Sequence, residues 1–413
     1  MSQPEYDDLA TQLTRTLTDR ADALSATPLG LAEVTGRARS IRRRRAATAV
    51  AGTAAVVALL VPTAALARHS GERPEPGPAT QSTTPTETSA PVDARAPLDV
   101  RGLPEGKPPA NGYLVAGLMH LADGDTATVS SRHRVDAFAV LSDGTEVFHT
   151  LTDQGVGSVE VTDSGGTEHG PYPAGFGLAV DDSRTAAAWV SPDGQVRTWV
   201  ATHTAPTAIA PPLPGGAAQV ASMSGDCSAA TPCRVLVRTT DQTTGKSTDH
   251  VVSSDGTTAP ADPAHRFVDV SDVSGFGLVA GYTRIGEGDS CSAVASGSGP
   301  VDWKTCDHSL LAFSPDLTSV SADSDFRSGT GSSVLAAYDV ATGHLLFEHR
   351  STLKTQAFVT STVWEDDTHL LATVYQHGRW SVVRFGLDGS MEIAVSAEQG
   401  RNFESPIVLA GQP

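Results

Sequence analysis

After residue 98 the chain consists of short runs in which apolar and polar residues alternate, separated by turn residues. Val135–Leu141 is followed by a Ser-Asp-Gly turn and then by a second run, Thr145–Leu151. Arg234–Thr240 and Ser247–Ser254 flank another polar turn in the same way. Alternation with a period of two predicts half-buried β-strands, and the polar turns predict hairpins between them. Residues 99–413 therefore predict an all-β body.

The strand pairs recur at a regular spacing. Six apolar residues mark the start of successive units and are separated by 38, 44, 56, 35 and 47 residues: Phe138, Phe176, Val220, Phe276, Leu311 and Phe358. Propeller blades repeat roughly every 40 to 50 residues, so a six- or seven-bladed β-propeller is expected rather than paired β-sandwiches. Gly175–Leu178 and Gly275–Leu278 are near copies in this repeat. The apolar stretches around Tyr113 and Ile407 are expected to complete one shared blade.

Four segments carry a resemblance to a known class of propeller. They are LLAFSPDLTSV (310–320), AWVSPDGQV (188–196), YDVATGHLL (338–346) and VWEDDTHLLATV (363–374). These segments resemble the blades of TolB-like and WD-repeat-like propellers, and the resemblance covers most of residues 110–410. It implies a closed ring of four-stranded blades, although the full Gly-His and Trp-Asp signatures of regular WD repeats are absent.

A different apolar pattern occupies residues 46–67, which contain no Asp, Glu, Lys, Arg or His. As a helix this run would be about 33 Å long, enough to cross a hydrocarbon core of about 30 Å. Four arginines precede it: Arg42, Arg43, Arg44 and Arg45. Because basic residues stay on the cytoplasmic side, we expect a single-pass cell-membrane protein with a cytoplasmic N-terminus and an extracellular body. The alternative is a signal peptide cleaved after Ala67, but about 45 preceding residues is long for that.

Two polar segments flank this span. Residues 1–45 carry leucines at helical spacing and predict a short helical head. The head resembles the cytoplasmic segments of actinobacterial single-pass proteins, some of which are anti-sigma factors, but it lacks the His and Cys ligands of the zinc-binding anti-sigma motif. It is either a membrane-proximal tail or a docking helix for a cytoplasmic partner. Residues 68–98 are rich in Pro, Thr and Ser and predict a disordered linker.

The charge balance narrows the range of partners. The chain of 413 residues has a net charge of -18, and its acidic excess lies after residue 45. Nucleic acids and anionic lipids favour basic patches, so the body is not expected to bind nucleic acid. Arginine outnumbers lysine, and Ala, Gly and Thr are abundant, a composition that resembles that of high-GC actinobacterial proteins.

All four cysteines lie in the expected extracellular body, where an even number indicates disulfides. Three pairings are open, and we predict the local one, Cys227 with Cys233 and Cys291 with Cys306. Zinc is the alternative, but neither spacing is C-x2-C and no His clusters beside these residues.

No familiar catalytic or cofactor motif is complete. Residues 239–247 end in Gly245-Lys246-Ser247 but have Thr240 where a P-loop needs its first glycine, so a hairpin is predicted. His344, Glu348 and His349 do not have the spacing of a zinc motif and are expected to be ordinary strand residues. A nucleophile elbow of the G-x-S-x-G type is absent. We therefore nominate no catalytic, cofactor-binding or metal-binding residue and predict no cofactor.

Three functions remain as hypotheses. The first is a membrane-anchored binding or scaffold module for an envelope protein or glycan. The second is a propeller hydrolase or lyase that acts on envelope glycans or peptides. The third is a transmembrane sensor with an anti-sigma-like head. Three or more His, Asp, Glu or Arg side chains converging in the axial funnel are expected for the enzyme, and a flat apolar rim is expected for binding.

Overall fold

The computed structural model describes residues 95–411, apart from gaps at 123, 130, 132, 153, 215–216, 226, 228–231, 242, 287–289, 325–330 and 401–404. The described residues belong to the second of two compact units, residues 87–413. They form seven β-sheets, and no α-helix occurs among them. Each sheet contains four antiparallel strands, which are consecutive along the chain in six of the sheets, and one sheet has an additional parallel strand at its edge. The body is therefore an all-β, seven-bladed propeller.

The strands of each blade have the following bounds, from the innermost outwards. Blade 1 has β29 (Ile407–Leu409), β2 (Tyr113–Val115), β3 (Leu118–His120) and β4 (Thr126–Thr128). Blade 2 has β5 (Arg134–Val140), β6 (Glu146–Leu151), β7 (Gly157–Thr162) and β8 (Glu168–Ala174), and blade 3 has β9 (Ala179–Val180), β10 (Ala186–Val190), β11 (Val196–Val200) and β12 (Thr207–Ala208). Blade 4 has β13 (Ala217–Ser224), β14 (Arg234–Thr240), β15 (Ser247–Ser253) and β16 (Thr258–Pro260), and blade 5 has β17 (Asp269–Val273), β18 (Leu278–Arg284), β19 (Cys291–Ser296) and β20 (Val301–Thr305). Blade 6 has β21 (His308–Phe313), β22 (Ser319–Ser324), β23 (Val334–Asp339), β24 (Leu345–Arg350) and the edge strand β1 (Arg95–Pro97), and blade 7 has β25 (Phe358–Trp364), β26 (His369–Gln376), β27 (Arg379–Gly386) and β28 (Met391–Gln399).

The two ends of the described chain close the ring in blade 1. Strand β29 pairs antiparallel with β2, and the partners are Leu409 with Tyr113 and Ile407 with Val115. This confirms the predicted shared blade. Closure removes the free sheet edges that a linear array of blades would expose.

One turn form joins the first strand to the second in blades 2, 3, 5 and 6. The N–H of its fourth residue donates a hydrogen bond to the carbonyl of its first, and the fourth residue has a positive φ. Glycine adopts this left-handed conformation without strain, as Gly144 and Gly277 do at φ of 87° and 85°. Blades 3 and 6 instead place Arg184 and Leu317 there, at φ of 54° and 63°.

The hydrophobic core lies between neighbouring blades. One cluster combines Ala139 and Val159 of blade 2 with Trp189 and Trp199 of blade 3, and both tryptophans are fully buried. A second cluster joins blades 6 and 7 through side chains that include Phe347 and Phe385. The alternating apolar residues that predicted the strands thus form the contacts between sheets.

Residues 95–111, here called the N-terminal strap, precede blade 1 and contact blades 6 and 7. Strand β1 pairs parallel with β24, and Leu98 is fully buried in the core between blades 6 and 7. The Gln376 side chain accepts a hydrogen bond from the N–H of Val100 at 3.0 Å and donates one to the carbonyl of Thr355 at 2.8 Å. The last residues of the predicted linker, from 95 to 98, are therefore part of the propeller.

The six apolar residues that were expected to mark the starts of successive units place most blades correctly. Phe138, Val220, Leu311 and Phe358 lie in innermost strands, and Phe176 lies just before β9. Phe276 is an error, because it lies in the turn between β17 and β18 and is 89 % exposed. The near copies around Phe176 and Phe276 consequently occupy positions in their blades that are not equivalent.

The predicted head (1–45), the membrane helix (46–67) with Arg42 to Arg45, and most of the linker lie outside the described residues. Their membrane topology remains an expectation from the sequence. Within residues 95–411, the part that the structure describes, no helix is long and apolar enough to cross a membrane.

Candidate functional site

A cavity of about 380 Å³, here called the channel mouth, lies in the central channel at the end toward which the innermost strands run. All seven blades contribute residues to its wall, either late in an innermost strand or directly beside its end. Val140, Met223 and Val363 form part of its apolar surface. Its volume lies within the range of small-molecule sites, about 300 to 1,000 Å³. Five charged residues line it: Asp181, Asp182, Arg184, Asp272 and Glu365.

Asp181 is used to build the turn after β9. One carboxylate oxygen accepts a hydrogen bond from the N–H of Ala186 at 2.7 Å. The other accepts from the hydroxyls of Ser183 at 2.8 Å and Thr185 at 2.6 Å. Because Asp181 is buried and both oxygens are occupied, it fixes the turn that presents its neighbours, Asp182 and Arg184.

Arg184 occupies the left-handed position of that turn, which is a strained one for any residue with a Cβ. The strain amounts to roughly 1 to 2 kcal/mol. Leu317, in the equivalent position of blade 6, packs against the core between blades 5 and 6. The Arg184 guanidinium has no hydrogen bond or ion pair with any described residue, and its side chain lines the cavity. Burial lowers the pKa of Arg184, and the negative charge of Glu365 opposes that effect.

Asp182 and Asp272 are two carboxyls whose pKa values are raised. Asp182 is exposed to the channel and accepts one long hydrogen bond, 3.4 Å from the N–H of Gly225. The surrounding protein, helped by the charges of Asp272 and Asp181, raises the pKa of Asp182 to about 7, although water in the channel screens so exposed a group. Asp272 is buried and accepts a hydrogen bond from the N–H of Phe313 at 2.8 Å. Burial raises the pKa of Asp272 to about 6.

Glu365 is held by the N-terminal strap and blade 7. Its side chain is 4 % exposed and is bound by the guanidinium of Arg384, which also contacts Glu392. The N–H of Ala110 donates a further hydrogen bond to Glu365 at 2.6 Å. Arg384 in turn donates to the carbonyls of Lys107 and Pro108, so this network attaches the strap to the rim of the channel.

An enzyme was expected to have at least three His, Asp, Glu or Arg side chains in the axial funnel, and these five residues exceed that number. By their contacts they divide in two, because Asp181 and Glu365 are occupied by hydrogen bonds that build the fold. Asp272 is occupied as well, since its two oxygens accept hydrogen bonds from the N–H groups of Val273 and Phe313, both at 2.8 Å. Asp182 and Arg184 remain, and they offer an open carboxylate and a guanidinium that has no hydrogen-bonded partner among the described residues. Among the residues of known position, no group of three or more His, Cys, Asp or Glu side chains is arranged to hold a metal ion.

The predicted cysteine pairs both form disulfides. Cys227 and Cys233, with Cα atoms 4.7 Å apart, close the connection between β13 and β14 of blade 4. Cys291 and Cys306, 4.0 Å apart, join the start of β19 to the residue after β20 in blade 5. Neither pair lines the channel mouth, so both stabilise blades rather than the site.

Glu348 and His349 are buried residues of β24, as expected of ordinary strand residues, and His344 immediately precedes that strand. Glu348 lies 3.3 Å from the buried ring of His308, whose other ring nitrogen is 2.5 Å from the hydroxyl of Tyr338. Burial lowers the pKa of His308. This group links strands within blade 6 and lies away from the channel mouth.

The P-loop-like segment is the predicted hairpin. Residues 241–246 connect β14 to β15, and Asp241 accepts hydrogen bonds from the N–H groups of Thr243 at 2.7 Å and Thr244 at 3.0 Å. Gly245 supplies the positive φ, 68°. The turn joins two strands and does not open a helix, unlike a P-loop.

The sequence analysis did not identify Asp182, Arg184 or Asp272. One local signal was present, since the turn Asp181-Asp182-Ser183-Arg184 has arginine where the turn in blade 2 has Gly144. This difference is recognised only when the turns of different blades are compared position by position, and the blade structure defines which positions are equivalent. Asp272 gave no signal, because it lies inside a short strand and only the ring brings it to the same cavity as Asp182 of blade 3.

Comparison with protein-family models found no match, and a search of curated proteins found none either. Solved structures with similar folds exist. The β-propeller domain of the trilobed protease from Pyrococcus furiosus is 9 % identical, with a TM-score of 0.44 over 64 % of this chain and 85 % of that one. The computationally designed protein Ika8 is 14 % identical, with a TM-score of 0.37 over 68 % and 77 %. A chain of the mitotic checkpoint complex is 12 % identical, with a TM-score of 0.42 over 78 % and 90 %. At these values the likeness concerns fold alone, and the assignment of seven blades rests on strand pairing.

Proposed function

We propose that this protein is a membrane-anchored binding or scaffold module whose extracellular propeller holds an envelope protein or glycan over the channel mouth. The observation that carries the proposal is the cavity itself, to which all seven blades contribute. Binding sites are typically concave and combine an apolar wall with a few polar groups that orient a ligand. The channel mouth is concave and has apolar side chains, such as Val140 and Val363, beside five charged ones.

The proposed location draws support from the sequence and the disulfides. Two closed disulfides are typical of an oxidising compartment. Residues 46–67 and the preceding arginines favour a span with the body outside. Protease treatment of intact cells should remove the propeller and leave residues 1–45 protected. A mature N-terminus at Arg68 would contradict the anchor and favour the cleaved signal peptide.

The binding proposal is tested by filling the cavity. Thr360 lines the channel mouth and is exposed within it, whereas Thr258 is exposed on the outer strand of blade 4. The full-length Thr360→Trp variant should lose the envelope components that the wild-type protein retains from a membrane extract. Thr258→Trp should retain them, and equal retention by both variants would contradict a partner site at the channel mouth.

A second candidate function is hydrolysis or elimination on an envelope glycan or peptide. It is favoured by the raised pKa values of Asp182 and Asp272, since paired carboxyls that titrate near neutral pH are suited to acid–base catalysis. Turnover of a glycan or peptide by the purified protein, lost in Asp182→Asn, would establish this function. Retention of envelope components without turnover of a glycan or peptide would favour the binding function.

A further inference from the structure

We infer that the channel mouth binds a free α-amino acid, whose carboxylate pairs with Arg184 and whose ammonium group pairs with Asp182. The inference rests on the binding function proposed above and gives the chemical class of a small ligand for the same cavity.

The first step concerns the guanidinium of Arg184. Three other partly buried arginines of the propeller bind carboxylates: Arg238 binds Asp249 and Asp269, Arg266 binds Asp262, and Arg384 binds Glu365 and Glu392. Arg184 has no carboxylate bound to it in this way in the described part of the chain; burial lowers its pKa, and the more distant negative charge of Glu365 only opposes that effect. A guanidinium presents parallel donors that match a carboxylate in a bidentate pair, so a ligand carboxylate satisfies it best.

The second step concerns the backbone that holds this side chain. Arg184 has φ of 54° in a turn position where blades 2 and 5 have Gly144 and Gly277. Leu317 also departs from glycine, but its side chain packs in the core, which offsets the strain. The Arg184 guanidinium has no hydrogen bond or ion pair with a described residue, and its side chain lines the cavity instead. Strained conformations cluster at functional sites, and this one holds Arg184 in the cavity wall.

The third step concerns the opposite charge on the same turn. Asp182 lies two residues before Arg184, yet the two side chains form no ion pair with each other. Among the described residues, the carboxylate of Asp182 accepts one hydrogen bond, the 3.4 Å contact with the N–H of Gly225, and it is open to the cavity. Asp272 from blade 5 also lines the wall and adds negative potential beside Asp182. An ammonium group is the complement of this side of the site.

The positive charge of Arg184 and the negative charge of Asp182 together favour a zwitterionic ligand. A simple anion at Arg184 would also face Asp182 and Asp272, and a simple cation at Asp182 would also face Arg184. An α-amino acid carries its ammonium and carboxylate on one carbon, so it can contact two charged residues of a single turn. Its side chain would then meet the apolar part of the wall, which includes Val140 and Val363. A volume of about 380 Å³ is sufficient for such a ligand.

The test is calorimetric titration of the full-length protein, purified in detergent, with each of the common α-amino acids in L and D form. We expect at least one to bind and its N-acetyl and methyl ester derivatives, which each lack one charge, to bind at least tenfold more weakly. Arg184→Gly and Asp182→Asn should also weaken binding at least tenfold. Arg197→Gly and Asp193→Asn, which alter the same blade outside the cavity, should not.

Two results would overturn the inference. One is that no amino acid binds to the wild-type protein while Thr360→Trp still abolishes retention of the envelope partner, an outcome that leaves the proposed function intact. The other is that an amino acid binds equally well to its derivatives or to the two site variants. The derivatives probe both charges on the unaltered protein, so the conclusion does not depend on how a variant folds.

Discussion

Replacing Arg184 by glycine should make the propeller more stable than replacing it by alanine. Both substitutions remove the same guanidinium, so the difference between them reports the backbone alone. At φ of 54°, alanine keeps the clash of a Cβ with the local backbone, whereas glycine does not. This order reverses the usual one, in which glycine is the less stable residue.

The magnitude follows from two opposing terms. Release from the left-handed conformation favours glycine by roughly 1 to 2 kcal/mol. The greater freedom of glycine in the unfolded chain favours alanine by about 0.5 to 1 kcal/mol. The free energy of unfolding of Arg184→Gly should therefore exceed that of Arg184→Ala by up to about 1.5 kcal/mol, and by about 0.75 kcal/mol at the midpoints of the two ranges.

Urea unfolding of the full-length protein, followed by tryptophan fluorescence, measures this difference. Trp189, Trp199 and Trp380 are fully buried, so unfolding changes their surroundings. Arg197 in β11 provides the matched control, because its φ is not positive and only the unfolded-state term applies there. At position 197 the glycine variant should be the less stable by about 0.5 to 1 kcal/mol. If the glycine variant is less stable than the alanine variant at position 184 by as much as it is at position 197, the argument from backbone strain is refuted.

Three further predictions concern other parts of the fold. Asp272 has a pKa raised from 3.8 to about 6, so the stability from its protonated carboxyl is present below about pH 4 and lost as pH rises through 6. Relative to Asp272→Asn, the wild-type protein should lose about 2 to 3 kcal/mol between pH 4 and 7 in urea unfolding, and parallel pH profiles would contradict this. Arg384→Met should destabilise the protein by about 3 kcal/mol and increase hydrogen exchange in the N-terminal strap, because it leaves the buried Glu365 carboxylate unpaired. Arg101→Met, which removes an exposed pair, should have a much smaller effect on both measurements. Serine replacement of the Cys291–Cys306 pair should reduce the free energy of unfolding by about 3 kcal/mol, more than serine replacement of the Cys227–Cys233 pair, which closes a shorter loop. Free-thiol labelling of the unfolded, unreduced wild-type protein should give no signal.

The fold was largely predictable because its signals are local. Alternation in Val135–Leu141, followed by Ser-Asp-Gly, is a property of neighbouring residues, and the structure has β5 and its turn there. The closure of blade 1 was predictable as well, since the stretches around Tyr113 and Ile407 were apolar segments in need of partners. Phe276 misled the repeat assignment because hydrophobicity alone does not distinguish a strand residue from an exposed turn residue.

What the sequence by itself determined is the set of strands, the blade repeat and the cysteine pairs, all of which follow from short-range pattern and spacing. What only the tertiary structure decided is the channel mouth. Asp182, Arg184 and Asp272 come from blades 3 and 5, and Val363 comes from blade 7, so no spacing along the chain brings them together. The ring places them at one end of a common channel, and burial there raises the pKa of Asp272. A charge acquires such properties from its surroundings in three dimensions, and those surroundings exist only once the seven blades have closed.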